Sequence, residues 1–228
     1  MNGRTDIYME LFSVFLQYKS YFLIGIQYTL LLAAIGVLCG FILGLVVALV
    51  RMSPWAWLRF IGHAWVEFLR GTPMLVQLLI IHYGFATAFD INFSAMQSGA
   101  ITLSLNSSAY LAEIFRAGIQ GVDRGQGEAA RSLGMTQGMS MRFIIIPQAI
   151  KSVLPAIGNE FVTIIKESSI VSFIGVTELM FQSGRVSGLT YDGMTPYLIV
   201  AIIYFILTFT LSRILGVFER KLKASDHS

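Results

Sequence analysis

Five polar side chains fall at helical spacings inside apolar sequence. Asn106 and Glu113 are seven residues apart, two α-helical turns, and so share one helix face. Glu160 and Glu167 repeat that interval, with Thr163 between them on the same side. Ionisable groups within apolar helical runs are expensive, and their default reading is functional. Two such faces on neighbouring helices could line one polar cavity near the middle of a membrane. The chemistry on offer is recognition of an ammonium group by carboxylate, with amide and hydroxyl groups left for the rest of a polar ligand. An amino acid suits it. The excess of acid over base leans toward a cationic or neutral polar one, such as arginine, lysine, histidine or glutamine. Buried charges are usually paired, so an alternative stays open: Glu113 against Arg116 or Arg70, and Glu167 against Lys166 or Arg185.

A second constellation is Gly125-Gln126-Gly127-Glu128-Ala129-Ala130-Arg131-Ser132-Leu133-Gly134. Glu128 to Leu133 reads as one or two helical turns with small residues on one side, and Gly134 can stop it by taking positive φ. Arg124 and Glu128 are four apart and can pair along a helix face. A short, small-faced helix at a turn suits a groove on another protein; a plain surface connection fits the composition equally well. Other chemistry is missing. There is no Gly-x-x-x-x-Gly-Lys-Ser/Thr phosphate loop, so energy for any driven process comes from another subunit. His63, His82 and His227 are scattered, no metal-ligand spacing occurs, and no nucleophile elbow appears.

These residues need elements to position them, and the composition says what kind. The 228-residue chain is 55% hydrophobic and 13% charged, with mean hydropathy +0.70. Soluble domains carry about 25% charged residues. One cysteine, Cys39, excludes an intrachain disulfide. A helix needs about 20 apolar residues to cross a hydrocarbon core, and the sequence predicts five such spans in an all-α integral membrane protein. They run over residues 21–50, 55–88, 99–117, 143–165 and 196–218, with an irregular stretch at 166–195. Residues 1–20 read as an interfacial lead-in rather than a cleavable leader, 118–142 as a polar loop and 219–228 as a tail. In the first span Gly36, Gly40 and Gly44 form a stripe that allows close helix approach. The second is interrupted by Glu67, Arg70, Gly71 and Pro73, a break tolerated at membrane depth only against protein or a cavity.

Charge orients the set. Arg51, Arg59, Arg116, Arg124, Arg131, Arg142, Arg220, Lys221 and Lys223 fall on one side, and Arg4, Lys19 and Arg185 on the other. Basic residues favour the cytoplasm, which puts the amino terminus outside and the carboxyl terminus inside. With no Lys or Arg in the external loop 86–98 and the basic residues on the cytoplasmic side, nucleic acid is not an expected partner; membrane lipids are.

Glu128-Ala129-Ala130, Gly134 six residues after the Glu, then Ile144 and Pro147, resemble the Glu-Ala-Ala signature of binding-protein-dependent ABC importer permeases. Arg70-Gly71-Thr72-Pro73-Met74, Ala109-Tyr110-Leu111-Ala112-Glu113, Asn159-Glu160-Phe161 and Lys166-Glu167-Ser168-Ser169 are similar to the polar amino-acid uptake branch. The resemblance covers about residues 20–218. It implies a type I importer permease fold that pairs with a second copy or a sister permease in a bacterial cytoplasmic (inner) membrane. It also implies a cytoplasmic ATPase dimer that binds the ATP, so that the chain is no enzyme and carries no cofactor, and an extracytoplasmic amino-acid-binding protein. Arg124, Glu128, Ala129, Ala130 and Gly134 would then couple to the ATPase, while Asn106, Glu113, Glu160, Thr163 and Glu167 would face substrate. Glu167 stands where Asp is more usual. The competing reading is a passive channel or a scaffold subunit without an ATPase.

Overall fold

The computed structural model describes residues 3–224, with side chains from Tyr8 to Arg220; the end of the expected tail and His227 lie outside the described residues. The described chain is helical. The helices are α1 (Gly3–Gln17), α2 (Lys19–Arg51), α3 (Ala56–Gly71), α4 (Met74–Leu79), α5 (Phe85–Phe89), α6 (Ala95–Gln120), α7 (Arg124–Ser132), α8 (Gln137–Ser140), α9 (Ile146–Glu167), α10 (Leu179–Thr190) and α11 (Thr195–Ala224). π-turns at Ile80–Gly84 and Met141–Ile145 continue α4 and α8, and a 3₁₀ segment, Ser168–Ile174, follows α9.

Three described helical stretches are long and apolar enough to cross a membrane: Lys19–Arg51, Gln137–Ile174 and Thr195–Arg220. The bent pair Ala56–Gly71 and Met74–Phe89 would make a fourth. Its break falls at Thr72-Pro73, both in extended backbone, because proline supplies no N–H and disfavours helix in the residue before it. Over the expected third span lies α6, 26 residues or about 39 Å at 1.5 Å per residue, long enough to cross but more polar than those stretches. Ser98, Thr102, Ser104, Asn106, Ser107 and Ser108 on α6 are all buried inside the protein. A helix that packs against protein need not be as apolar as one that faces lipid. The irregular stretch expected at 166–195 is corrected: most of it is the 3₁₀ segment and α10. Its glycines and serines weakened the helical period without preventing helix in a packed setting.

The chain forms two compact units, and α2, α6, α9 and α11 each contribute to both. The first is built from the chain up to Gly36 with Pro73–Leu103 and Val162–Leu211. Its core gathers Phe22, Leu179, Val186, Ile199 and Val200, against which Leu11 and Val14 of α1 pack. The second unit comprises Val37–Thr72, Ser104–Phe161 and the chain from Ser212. Ala48, Val66, Leu69, Ala109, Leu111, Ala112, Phe115 and Val153 form its core. The glycine stripe works as small residues do in lipid, by letting backbones approach. A Cβ on Gly44 would stand 2.9 Å from both the Ser108 carbonyl oxygen and Leu111 Cβ, and one on Gly40 2.8 Å from Ser107 Cβ.

On α3, Gly62, Val66 and Leu69 are buried at i, i+4, i+7 spacing while Trp57, Phe60, Ile61 and Phe68 are exposed. Leu38, Ile42, Leu49, Ile202, Phe205 and Ile206 are likewise bare on the long helices. Apolar surface on this scale marks an interaction face, and on helices of spanning length a bilayer core suits it.

Candidate functional site

In the second unit, Glu113 stands near the end of α6 between two guanidinium groups. Arg51, the last residue of α2, donates through Nη1 to Glu113 Oε2, and Arg116 donates through Nη2 to Oε1. Arg51 is buried at 7% exposure, and its Nη2 lies 3.2 Å from His63 Nδ1 on α3. Arg116 also donates to Gln120 Oε1 at 2.5 Å. Of the two partners the sequence offered Glu113, Arg116 is present, whereas Arg70 sits over the Tyr110 ring at 5.2 Å. Arg51 takes the second place, a role that sequence reading missed because it treated this arginine only as a topological charge. Asn106, two turns earlier on α6, is buried, and so is Glu160 on α9 at 7% exposure. A cavity of about 1130 Å³ in this unit has Asp123, Lys151, Asn159 and Glu219 among its lining, but not Glu113 or Glu160.

Thr163 and Glu167 belong to the first unit, where they line one cavity of about 490 Å³. Lys166, Ser169 and Ser172 complete its polar lining, and Met74, Ile170, Phe173 and Met180 supply the apolar part. The five residues expected to face substrate therefore divide three and two between the units, and each unit holds at least one carboxylate together with hydroxyl or amide groups.

One carboxylate in the first unit escaped sequence reading. Glu178 is fully buried and precedes α10, accepting from the N–H groups of Met180 at 2.8 Å and Phe181 at 2.7 Å. Such contacts satisfy orphan donors at a helix start. Its Oε2 also accepts from the Tyr204 hydroxyl at 2.8 Å. The signal was weak, because Glu is not among the favoured N-cap residues and Tyr204 lies 26 positions away.

The signature segment forms α7, which begins four residues before the expected start at Glu128. Asp123 explains the difference: its Oδ1 accepts from the Gly125 N–H at 2.6 Å and caps the helix. At the other end Gly134 has φ +82°. Its N–H reaches the Arg131 carbonyl at 2.9 Å, and the Met135 N–H reaches Ala130 at 3.1 Å, the paired bonds of a Schellman stop. Ala130 is buried, while Arg124, Glu128 and Ala129 are exposed, as is Leu133 at 84%. No ion pair joins Arg124 to Glu128 among the described residues. The helix is held from beneath by a small residue and leaves its other faces open.

Among the described residues no group of His, Cys, Asp or Glu could hold a metal ion. The family described as binding-protein-dependent transport system inner membrane component matches residues 36–224. The arginine transport system permease protein ArtQ of Bacillus subtilis (strain 168) is 36% identical over 215 residues, which are 94% of this chain and 98% of that protein. A probable glutamine ABC transporter permease protein, GlnM, of the same organism is 38% identical over 90% of this chain and 95% of its own length. A crystal structure of an amino acid ABC transporter with histidines superposes with TM-score 0.88 at 48% identity, covering 90% of this chain and 96% of that one. An inward-facing MetNI methionine ABC transporter, 18% identical with TM-score 0.75, shares the fold.

Proposed function

The chain belongs to the family of binding-protein-dependent transport system inner membrane components, and from that membership we propose that it is the permease subunit of an ATP-driven importer of polar amino acids. It is a multi-pass inner-membrane protein of type I importer fold, not itself catalytic, and its family implies an ATPase and a binding protein as partners. The finer reading adds five spans over residues 21–218, with the bent pair and α6 as second and third, the amino terminus outside and the carboxyl terminus in the cytoplasm. Residues 1–20 are a lead-in at the interface, 118–142 the cytoplasmic loop, and 219–228 a tail. A second permease, identical or a sister, completes the pore; an ATPase dimer docks from the cytoplasm and an amino-acid-binding protein from outside.

The observation that carries the reading is α7, a capped helix with a glycine-enforced stop and an exposed face made by Arg124, Glu128, Ala129 and Leu133. A helix fixed at both ends and bare between transmits displacement from a partner without dissipating it in a floppy loop. Alternating access follows if nucleotide moves the two docked helices of the assembly, since only unequal contacts with two states shift their balance. Asn106, Glu113, Glu160, Thr163 and Glu167 form the polar groups of the path. Among them Glu113 has its charge met by Arg51 and Arg116, and Glu160 and Glu167 are the carboxylates assigned to a substrate ammonium. The named relatives support arginine- or glutamine-like substrates.

Uptake of labelled amino acids by proteoliposomes holding the permease, its ATPase and its binding protein tests the proposal. ATP-dependent accumulation is expected; leakage that needs neither partner would replace it with the passive channel. Cysteines at Asn92 and Gln126, in a Cys39→Ser background, should react with an impermeant thiol reagent from opposite sides. Reaction from one side would end the five-span reading.

A further inference from the structure

The cavity lined by Thr163 and Glu167 owes much of its wall to one short piece of chain. Ser169, Ile170, Ser172 and Phe173 come from the 3₁₀ segment that follows α9, and Met180 comes from the first turn of α10. A 3₁₀ segment has poorer hydrogen-bond geometry than an α-helix and depends on its surroundings for a fixed shape. Gly175 at φ +85° ends it, and Glu178 then turns the chain into α10.

The far end of that piece is held by one phenol. At the far end the Tyr204 hydroxyl donates to Glu178, whose two oxygens also hold the first N–H groups of α10. At the near end is Ser168, fully buried beside Glu167, with its hydroxyl donating to the Ile165 carbonyl at 2.8 Å. Thr29 of α2 adds a second hold at the far end, its Oγ1 accepting from the Leu179 N–H at 3.3 Å. A buried carboxylate met by three donors is well satisfied, and such networks rigidify what they join. None of these groups lines the cavity.

We propose that Glu178 and Tyr204 are positioning residues of the translocation path: clasped together, they fix the turn from the 3₁₀ segment into α10 and so set the wall, Met180 included, of the cavity that Thr163 and Glu167 line. The inference rests on the importer reading for its functional consequence but not for its structural one. When the clasp loosens, the wall shifts relative to Thr163 and Glu167 while both remain in place. Substrate affinity changes and the driving machinery does not.

The test uses the permease assembled with its ATPase in liposomes, with Met180→Cys in a Cys39→Ser background. Reaction with an impermeant maleimide reports on the wall. In Glu178→Gln, and separately in Tyr204→Phe, the labelling rate should change by about two- to tenfold, the scale of one lost hydrogen bond. Leu189→Cys, on α10 but outside the cavity, should label as before. With binding protein present, the apparent KM for uptake should rise by a similar factor while Vmax per assembled complex holds. An unchanged rate at Met180→Cys overturns the proposal, and so does an equal change at Leu189→Cys, which would mean general loosening. Tyr204→Phe removes one oxygen and leaves both helix caps, so it carries the test if Glu178→Gln fails to assemble. A labelling change in a complex that imports no amino acid would instead overturn the importer reading and leave the clasp standing.

Discussion

Arg51 and Glu113 lie 62 positions apart and are ion-paired in the second unit, tying the last turn of α2 to α6. The guanidinium is almost wholly buried and the carboxylate about a third exposed, so the pair falls between the two familiar extremes. Removing one partner of a buried pair costs about 3–5 kcal/mol, whereas exposed pairs are worth roughly 0–1. Glu113→Gln should therefore destabilise the assembled complex by about 1–3 kcal/mol. Arg51→Met combined with Glu113→Gln should cost less than the two single changes added, as expected of residues in contact. Thermal unfolding of the purified complex in a double-mutant cycle checks this. Strictly additive losses would mean that the pair contributes nothing of its own.

Close helix packing gives a second expectation. A Cβ at Gly44 lands at 2.9 Å from backbone oxygen as well as from Leu111 Cβ, and backbone cannot rotate away as a side chain can. Gly44→Ala should cost about 1–3 kcal/mol, the usual penalty of overpacking. Gly216, on α11, has nothing within 4 Å of its Cβ position, so Gly216→Ala should be neutral or stabilising by up to about 1 kcal/mol through helix propensity. The two variants, compared by melting temperature in one detergent, separate close approach from a general dislike of alanine.

These two cases also mark what sequence could and could not disclose. The glycine stripe and the positive-φ stop at Gly134 follow from local backbone chemistry, so periodicity and residue type reveal them. The fold was legible for the same reason: apolar runs of spanning length must be helices in lipid. Arg51 was legible as a charge but not as the partner of Glu113, because nothing local connects positions 51 and 113. Glu178 was hidden more deeply. It borrows its stability from Tyr204 and from a helix whose Gly and Ser content masked its period. Conversely, the polar residues of α6 lie buried inside the protein, a placement that hydropathy along the sequence cannot show.

At the end of α7, Gly134→Val tests whether the Schellman stop matters to coupling. Left-handed backbone costs an ordinary residue about 1–2 kcal/mol, and a β-branched one fits there worst. Nothing crowds the Gly134 Cβ position, so the damage should be conformational and local. Membrane insertion and yield should be unchanged, while ATPase co-purification and substrate-stimulated hydrolysis fall. Native levels of both would remove α7 geometry from the coupling mechanism.

The last expectation concerns Glu160, a carboxylate of the second unit buried at 7% exposure on α9. If it holds the substrate's positive charge, Glu160→Gln keeps the shape and removes a charge-assisted bond of roughly 1.5–3 kcal/mol. At 1.4 kcal/mol per decade, the site weakens by about ten- to a hundredfold. Uptake per assembled complex should drop by that order at limiting substrate, with basal ATP hydrolysis and binding-protein affinity close to native. A glutamate that serves only the packing of α9 gives a different pattern: lower melting temperature or yield first, with transport lost in proportion. Measuring uptake and melting temperature on the same preparations separates the two. Undiminished uptake in Glu160→Gln would take the residue out of the path and leave recognition to the cavity of the first unit, where Glu167 is the remaining carboxylate, or to the binding protein.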